Sequence, residues 1–239
     1  MTEAAQPVAT DPEPYFDELA DLYERFTSVR DAATSPIRSW LVEHLVPGKR
    51  AIDIGCGGGN NCLMLADRYD EVVGVDISQR MLDIAATKPS RVPVRYECRG
   101  ALDLSPDTDG TFDLVMSVNA VFHIGPADTV LKRLRELVAP GGRLLIIDVT
   151  QPDAAGAQPS EQSAYAFETA KIVYEISGDV EAAADSMRMM LHPRWLEMSA
   201  QHAPLTDTEF TRAYTAALPG VQITKDLVPT MSAALWNAP

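Results

Sequence analysis

The chain has 239 residues, 46% of them hydrophobic and 23% charged, which is enough for one domain with a substantial core. A formal net charge of −14 argues against a nucleic-acid partner, and the three cysteines (Cys56, Cys62, Cys98) are few and have no metal-ligand spacing. No apolar run is long enough to cross a bilayer and Met1–Pro14 has no signal-peptide character, so a cytoplasmic protein with no membrane partner is expected.

Met1–Pro14 reads as a frayed lead-in. Tyr15–Phe26 has apolar residues at helical spacing, and Ser35-Pro36 starts a second helix that Pro47-Gly48 ends. The apolar run Ala51–Ile54 then enters the cluster Gly55-Cys56-Gly57-Gly58-Gly59-Asn60-Asn61, and Cys62–Ala66 returns to helix formers. Glu71–Ser78 is a second strand ending in an acid, and Ser78 caps a helix through Met81, Leu82 and Ala85. Val92–Cys98 alternates as a third strand, Gly100–Leu104 is a loop, and Thr111–Asn119 is a fourth strand, apolar as buried parallel strands are. Asp128–Val138 is an amphipathic helix stopped by Pro140-Gly141-Gly142, and Arg143–Val149 is the fifth strand.

Strand and helix alternate from Arg50 to Val149, a pattern that demands a parallel sheet covered on both faces. Beyond it, Gln151–Ser160 reads as a connection, Ala164–Gly178 and Val180–Leu191 as helices, and His192–Pro204 as irregular. Thr206 caps a helix to Leu218 with Glu209 at capping-box spacing. Val221–Val228 and Met231–Trp236 form a closing hairpin, hence one antiparallel strand.

Glycine admits positive φ and close approach of a ligand to the peptide planes, and the helix start behind it offers free N–H groups. A dinucleotide fingerprint begun at Gly55 and Gly57 would need glycine where Asn60 stands. The motif is instead Asp53-x-Gly55-x-Gly57-x-Gly59, with Asp76 placed where nucleotide-binding βαβ units hold a ribose diol. Together these stretches resemble the class I S-adenosylmethionine (SAM)-dependent methyltransferases, from Tyr15 to Val149 and more loosely over the last two strands.

The resemblance implies a three-layer Rossmann-like α/β sandwich with a seven-stranded, mostly parallel sheet carrying one antiparallel strand. It adds an N-terminal helical lid over residues 1–46, a SAM-binding core over 47–150, a helical substrate-cap insertion over 151–205 after strand five, and the last helix and two strands over 206–239. In such enzymes Asp53 and the turn (Gly55, Cys56, Gly57, Gly59, Asn60) hold the methionine end of SAM, Asp76 accepts the ribose hydroxyls, and Ile77 and Met81 lie near the adenine. Backbone groups of Gly100, Ala101 and Leu102 would read the adenine edge; the acid often found at the position of Gly100 is missing, leaving Asp103 as a substitute. Ser117 completes the cofactor set at the end of strand four. An ordinary strand–helix turn, a solvated strand-end acid and plain helix-to-sheet packing of Met81 are the competing readings.

Strand four runs into Asn119-Ala120-Val121-Phe122-His123, without the Asn-Pro-Pro-Tyr of enzymes that methylate DNA bases or protein glutamine. It resembles the small-molecule methyltransferases, in which His123 is a candidate base and Asn119 a substrate contact. Asp148 is expected to orient His123, contact substrate or cap a loop, and Tyr15 and Tyr23 to close over the sulfonium or simply pack the lid. In the insertion, Met190, His192 and Trp195 are expected at the substrate, with His192 and His202 as second-choice bases, although core packing or a dimer contact serves the methionines equally. The implied function is methyl transfer from SAM, giving S-adenosylhomocysteine (SAH), to a small-molecule acceptor at O, N, C or S, in natural-product tailoring. No metal is expected, and the protein is a monomer or homodimer. The alternatives are a SAM-binding protein that does not methylate, or a nicotinamide oxidoreductase.

Overall fold

The computed structural model describes residues 14–30, 35–153 and 162–239. The expected lead-in before Pro14 and most of the connection Gln151–Ser160 lie outside them. Helices α1 (Phe16–Arg30) and α2 (Pro36–His44) precede strand β1 (Arg50–Ile54), followed by α3 (Asn60–Ala66), β2 (Glu71–Asp76), α4 (Gln79–Ala86) and β3 (Val94–Cys98). The second half of the nucleotide-type core is α5 (Pro106–Asp109), β4 (Phe112–Val118), α6 (Val121–Ile124), α7 (Ala127–Glu136) and β5 (Val138–Val149). After it come α8 (Gln162–Ser177), α9 (Val180–Met190), α10 (Pro193–Gln201), α11 (Asp207–Ala217), β6 (Gln222–Val228) and β7 (Met231–Asn237).

The seven strands form one sheet in the order β3-β2-β1-β4-β5-β7-β6. Only β7 runs against its neighbours, pairing antiparallel with both β5 and β6. The order reverses between β1 and β4, and in open α/β sheets ligands bind outside the carboxyl ends of the strands at such a switch point. Strand alternation sends Ile52 and Ile54 to one face, against Val130, Leu131 and Leu134 of α7 and Phe210 and Tyr214 of α11. Ala51, Met116 and Leu145 face the other way, onto Trp40 and Leu41 of α2 and Cys62 and Leu65 of α3. A third cluster joins Ala20 and Tyr23 of α1 to Met81, Ala166, Met189 and Met190, which lays the lid and the insertion over the rim. The fold is the expected one. Among the described residues no helix is long and apolar enough to cross a membrane.

Three local expectations need correction. His192–Pro204 is not irregular: α10 starts at Pro193, with the His192 Nδ1 accepting from the Arg194 N–H at 3.2 Å. The start signal was present, but histidine is an unusual cap beside the preferred Ser, Thr, Asp and Asn. The fifth strand begins at Val138, paired with Phe112, and the Pro140-Gly141-Gly142 stretch bulges out before pairing resumes at Leu114 and Arg143. The loop after β3 contains a 3₁₀ turn over Ala101–Asp103, and α5 and α6 are single turns too short to leave a periodic signature.

Thr206 caps α11 as its spacing demands. Its Oγ1 accepts from the Glu209 N–H at 3.2 Å, and Glu209 Oε2 accepts from the Thr206 N–H at 2.9 Å. Thr206→Ala removes one half of this box and is expected to lower unfolding stability by about 1 kcal/mol, read from urea denaturation midpoints at unchanged slope.

Candidate functional site

The turn after β1 is built from three glycines at positive φ: Gly55 (+70°), Gly57 (+50°) and Gly59 (+77°). At Gly59 a side chain would also lie 2.5 Å from the Tyr96 hydroxyl, so conformation and space both select glycine. The N–H groups of Gly55 and Cys56 donate to the Val75 carbonyl of β2 at 2.8 and 3.1 Å, which sets the turn against the end of that strand. Asp76 follows immediately. Its Oδ2 accepts from the Gly57 N–H at 2.8 Å and its Oδ1 from the Ser78 N–H at 2.9 Å. Burial raises the Asp76 pKa, the backbone N–H groups of Ser78, Gly57 and Ile77 pull it back, and the net result lies above the usual carboxylate value.

Asp53 is buried beneath the turn, where the Cys62 thiol donates to its Oδ2 at 3.6 Å. Burial pushes the Cys56 thiol well up, so Cys56 packs as an apolar group. Met81 is also buried, and its Cε would lie 3.3 Å from a Cβ on Gly57. The Asn60 side chain turns to Lys88 instead. Lys88 Nζ donates to Asn60 Oδ1 (2.7 Å), to the Gly58 carbonyl (2.6 Å) and to Glu24 Oε1 of α1 (2.5 Å). Nothing in the sequence flagged Lys88 or Glu24.

Helix α1 lies directly on the turn. Its Asp17 Oδ1 accepts from the Ser78 hydroxyl at 2.5 Å, and Tyr23 and Thr27 close a cavity with Gly55, Cys56, Gly57, Gly58, Asn60, Asn61 and Val118. That cavity holds about 20 Å³, room for one water. Asn119 follows β4 at φ +59°, its Nδ2 donating to the Tyr23 hydroxyl at 3.4 Å while its buried Oδ1 has no partner.

A second group of expected residues gathers behind α1. His123 on α6 lies against Phe122 at a tilt of 38°, with ring centroids 3.8 Å apart, and stands edge-on to Phe16 at 5.9 Å. Its Nδ1 lies 3.2 Å from Nδ1 of His202. Tyr15 stands edge-on to His202, and the cation over the Tyr15 ring is Arg194, at 4.8 Å. Trp195 reaches Phe16 and Tyr23 at ring separations of 6.4 and 6.5 Å, and Met190 is buried in the same cluster. Burial and the neighbouring His202 push the His123 pKa down to about 3.

Other expected residues lie apart. Asp148 is buried behind α6, where its Oδ2 accepts from the Phe122 N–H at 3.2 Å, the loop-capping position. Burial pushes its carboxyl well up, and burial together with Asp148 raises Tyr214 likewise. Ser117 is buried in the sheet and donates to the Ile54 carbonyl at 2.9 Å. His192 is engaged in capping α10. Asp103 Oδ2 reaches back to the Gly100 N–H at 3.2 Å, leaving Ala101 buried and Leu102 exposed, while Ile77 offers its carbonyl to the Cys98 thiol at 3.5 Å.

Comparison with known proteins agrees with this fold. A family model described as a methyltransferase domain matches residues 51–142. Ubiquinone biosynthesis O-methyltransferase of Chromobacterium violaceum is 33% identical over 99 residues, covering 41% of this chain and 43% of that one. Ajmaline N-methyltransferase of Rauvolfia serpentina is 30% identical over 139 residues, covering 56% and 46%. The matched stretch thus spans about half the length of these curated relatives. The plantazolicin methyltransferase BpumL, solved with SAH, superposes with a TM-score of 0.55 at 14% identity, over 94% of this chain and 88% of its own. Residues 51–142 match the methyltransferase-domain model, and the fold is the one seen in solved SAM-dependent methyltransferases.

The depressed His123 pKa has a stability consequence. In the unfolded chain the ring gains a proton below about pH 6.5, but in the folded chain only near pH 3. Folding stability from this group is therefore present above pH 6.5 and is lost as pH falls, by up to about 1.4 kcal/mol per pH unit. Denaturant titrations at pH 7 and pH 5 should show the loss in the wild type and a smaller one in His123→Gln.

Proposed function

We propose that this chain transfers the methyl group of SAM to a small-molecule acceptor at O, N, C or S, in a natural-product tailoring step, and that SAH is the product. The observation that carries the reading is the Asp76 carboxylate seated against the glycine turn, Oδ2 on the Gly57 N–H. Each Asp76 oxygen accepts one backbone bond, so each keeps acceptor capacity for a ribose hydroxyl. A second observation supports the reading: Asn119 Oδ1 is buried and unpartnered, on a residue whose Nδ2 reaches the hydroxyl of the cavity-lining Tyr23.

In this reading Asp53 and the Gly55–Asn60 turn hold the methionine end. Ile77 and Met81 flank the adenine, with backbone groups of Gly100, Ala101 and Leu102 at its edge, and Ser117 keeps β4 tight against β1 beneath the site. When bound, SAM supplies an electrophilic sulfonium methyl. The chain contributes alignment, worth effective molarities up to ~10⁵–10⁸ M in favourable intramolecular reactions. His123 is the candidate base, kept neutral by its surroundings, and Asp148 fixes the turn that carries it. Tyr15, Tyr23, Asn119, Met190 and Trp195 form the wall toward the acceptor, with His192 at the base of α10. That largely apolar wall supports a partly apolar acceptor. So do the relatives, one named for ubiquinone and another for ajmaline. The surface is strongly acidic, in keeping with a cytoplasmic, metal-independent enzyme that works on metabolites as a monomer or homodimer.

Incubation with methyl-labelled SAM and a panel of phenols, amines and thiols should transfer label to at least one acceptor; SAM binding with no transfer to any would overturn the catalytic reading. Asp76→Ala is expected to weaken SAM binding at least about 100-fold by calorimetry, from the loss of two charge-assisted hydrogen bonds. Unchanged affinity would remove Asp76 from the site.

A further inference from the structure

The two imidazoles behind α1 form a pair that neither sequence position announces. His123 follows β4 and His202 ends α10, 79 residues later, yet their Nδ1 atoms lie 3.2 Å apart. A contact between two Nδ1 atoms at that distance requires one ring to donate and the other to accept. It also commits Nδ1 of each ring, which leaves Nε2 of His123 as the nitrogen available to an acceptor. Among the described residues neither ring has an ion-pair partner: His123 is faced by Phe16 and Phe122, and His202 by Tyr15. The nearest charges stand one step removed, Arg194 over the Tyr15 ring and Asp148 behind the Phe122 N–H. The usual carboxylate behind a base histidine is therefore replaced by a second histidine.

We propose that His202 is the proton-accepting partner of His123 during methyl transfer, an inference that rests on the methyl-transfer reading above. An acceptor O–H or N–H bond breaks as His123 Nε2 takes the proton. In the same step the His123 Nδ1–H bond breaks and an Nδ1–H bond forms on His202. The positive charge thus comes to rest on His202, while the acceptor's lone pair forms the new bond to the methyl carbon as that carbon's bond to the donor sulfur breaks and its electron pair stays on sulfur. After the product leaves, the sequence reverses: His202 returns its proton to His123 Nδ1 and Nε2 releases one to water. The arrangement answers a specific difficulty. With His202 beside it, the buried imidazole of His123 holds a second proton only near pH 3, whereas His202 is less deeply buried and its pKa is lowered by burial alone. Moving the charge outward lets a buried ring act as a base near neutral pH. His202 acts through another residue, so its role is positioning and proton storage.

The relay requires His123 to carry its proton on Nδ1 before the reaction, the less common tautomer of free imidazole. Two-bond ¹H–¹⁵N spectra of histidine-labelled protein should show His123 in that form at pH 7.5. A second readout needs no acceptor: diethyl pyrocarbonate attacks Nε2, and mass mapping gives the rate at His123. His202→Gln keeps a hydrogen-bond acceptor for Nδ1 but no site for a proton. It should preserve the tautomer and slow modification of His123 at least fivefold, with the melting temperature unchanged. An Nε2–H tautomer in the wild type, or modification of His202→Gln at the wild-type rate or faster, would overturn the relay. Should His202→Gln fail to fold, His202→Asn carries the same test. Calorimetry with SAM on the wild type keeps the two readings separate: its failure would sink methyl transfer while leaving the tautomer result to judge the histidine pair.

Discussion

One carboxylate ties the two halves of the nucleotide-type rim together. Asp76 ends β2, yet one of its oxygens holds the turn after β1 and the other the start of α4. Without it, the Gly57 N–H and the Ser78 N–H would both need other partners at a partly buried rim, where an unpaired donor costs about 1–3 kcal/mol. The three positive-φ glycines give the turn its shape, but this acid fixes where the turn sits relative to the second strand. Every other feature of the site is placed from there: Ser78 anchors the lid through Asp17, and Met81, one turn on, packs under Gly57.

The lid is fastened at a second point by the Lys88 ammonium. In a chain with 34 acidic and 20 basic residues, a lysine shared among a carboxylate, a backbone carbonyl and an amide oxygen is a well-defined point charge. Both Lys88 and Glu24 are largely shielded from solvent, so their attraction is less screened than that of a surface pair. The Glu24–Lys88 contact joins α1 to the glycine turn and the Asp17–Ser78 contact joins α1 to α4, and between them Tyr23 and Thr27 seal the cavity.

Much of the rim was legible because its demands are local. Positive φ calls for glycine, a helix start calls for Ser35, Ser78 or Thr206, and a buried parallel strand calls for an unbroken apolar run. The alternation of such runs with helices gave the sheet, and the hairpin at the end gave its antiparallel strand. What escaped depends on chain segments far apart in sequence. Lys88 meets Glu24 across 64 residues and His202 meets His123 across 79, and neither pair leaves a spacing to read. Asp148 could be assigned three roles until the fold buried it behind α6. The start of α10 was hidden by an uncommon cap, and the start of β5 by a Pro-Gly-Gly stretch that ordinarily ends an element.

Helix α1 touches both halves of the proposed site. Phe16 stands against His123, Asp17 against Ser78, Tyr23 and Thr27 against the glycine turn, and Glu24 against Lys88. A rigid helix with these attachments cannot lift from the cofactor side while staying seated on the acceptor side. On the methyl-transfer reading, loading of the donor and exposure of the base become a single event. Kinetically this favours a compulsory order, with the donor on before the acceptor, and it ties the release of SAH to the same movement of α1.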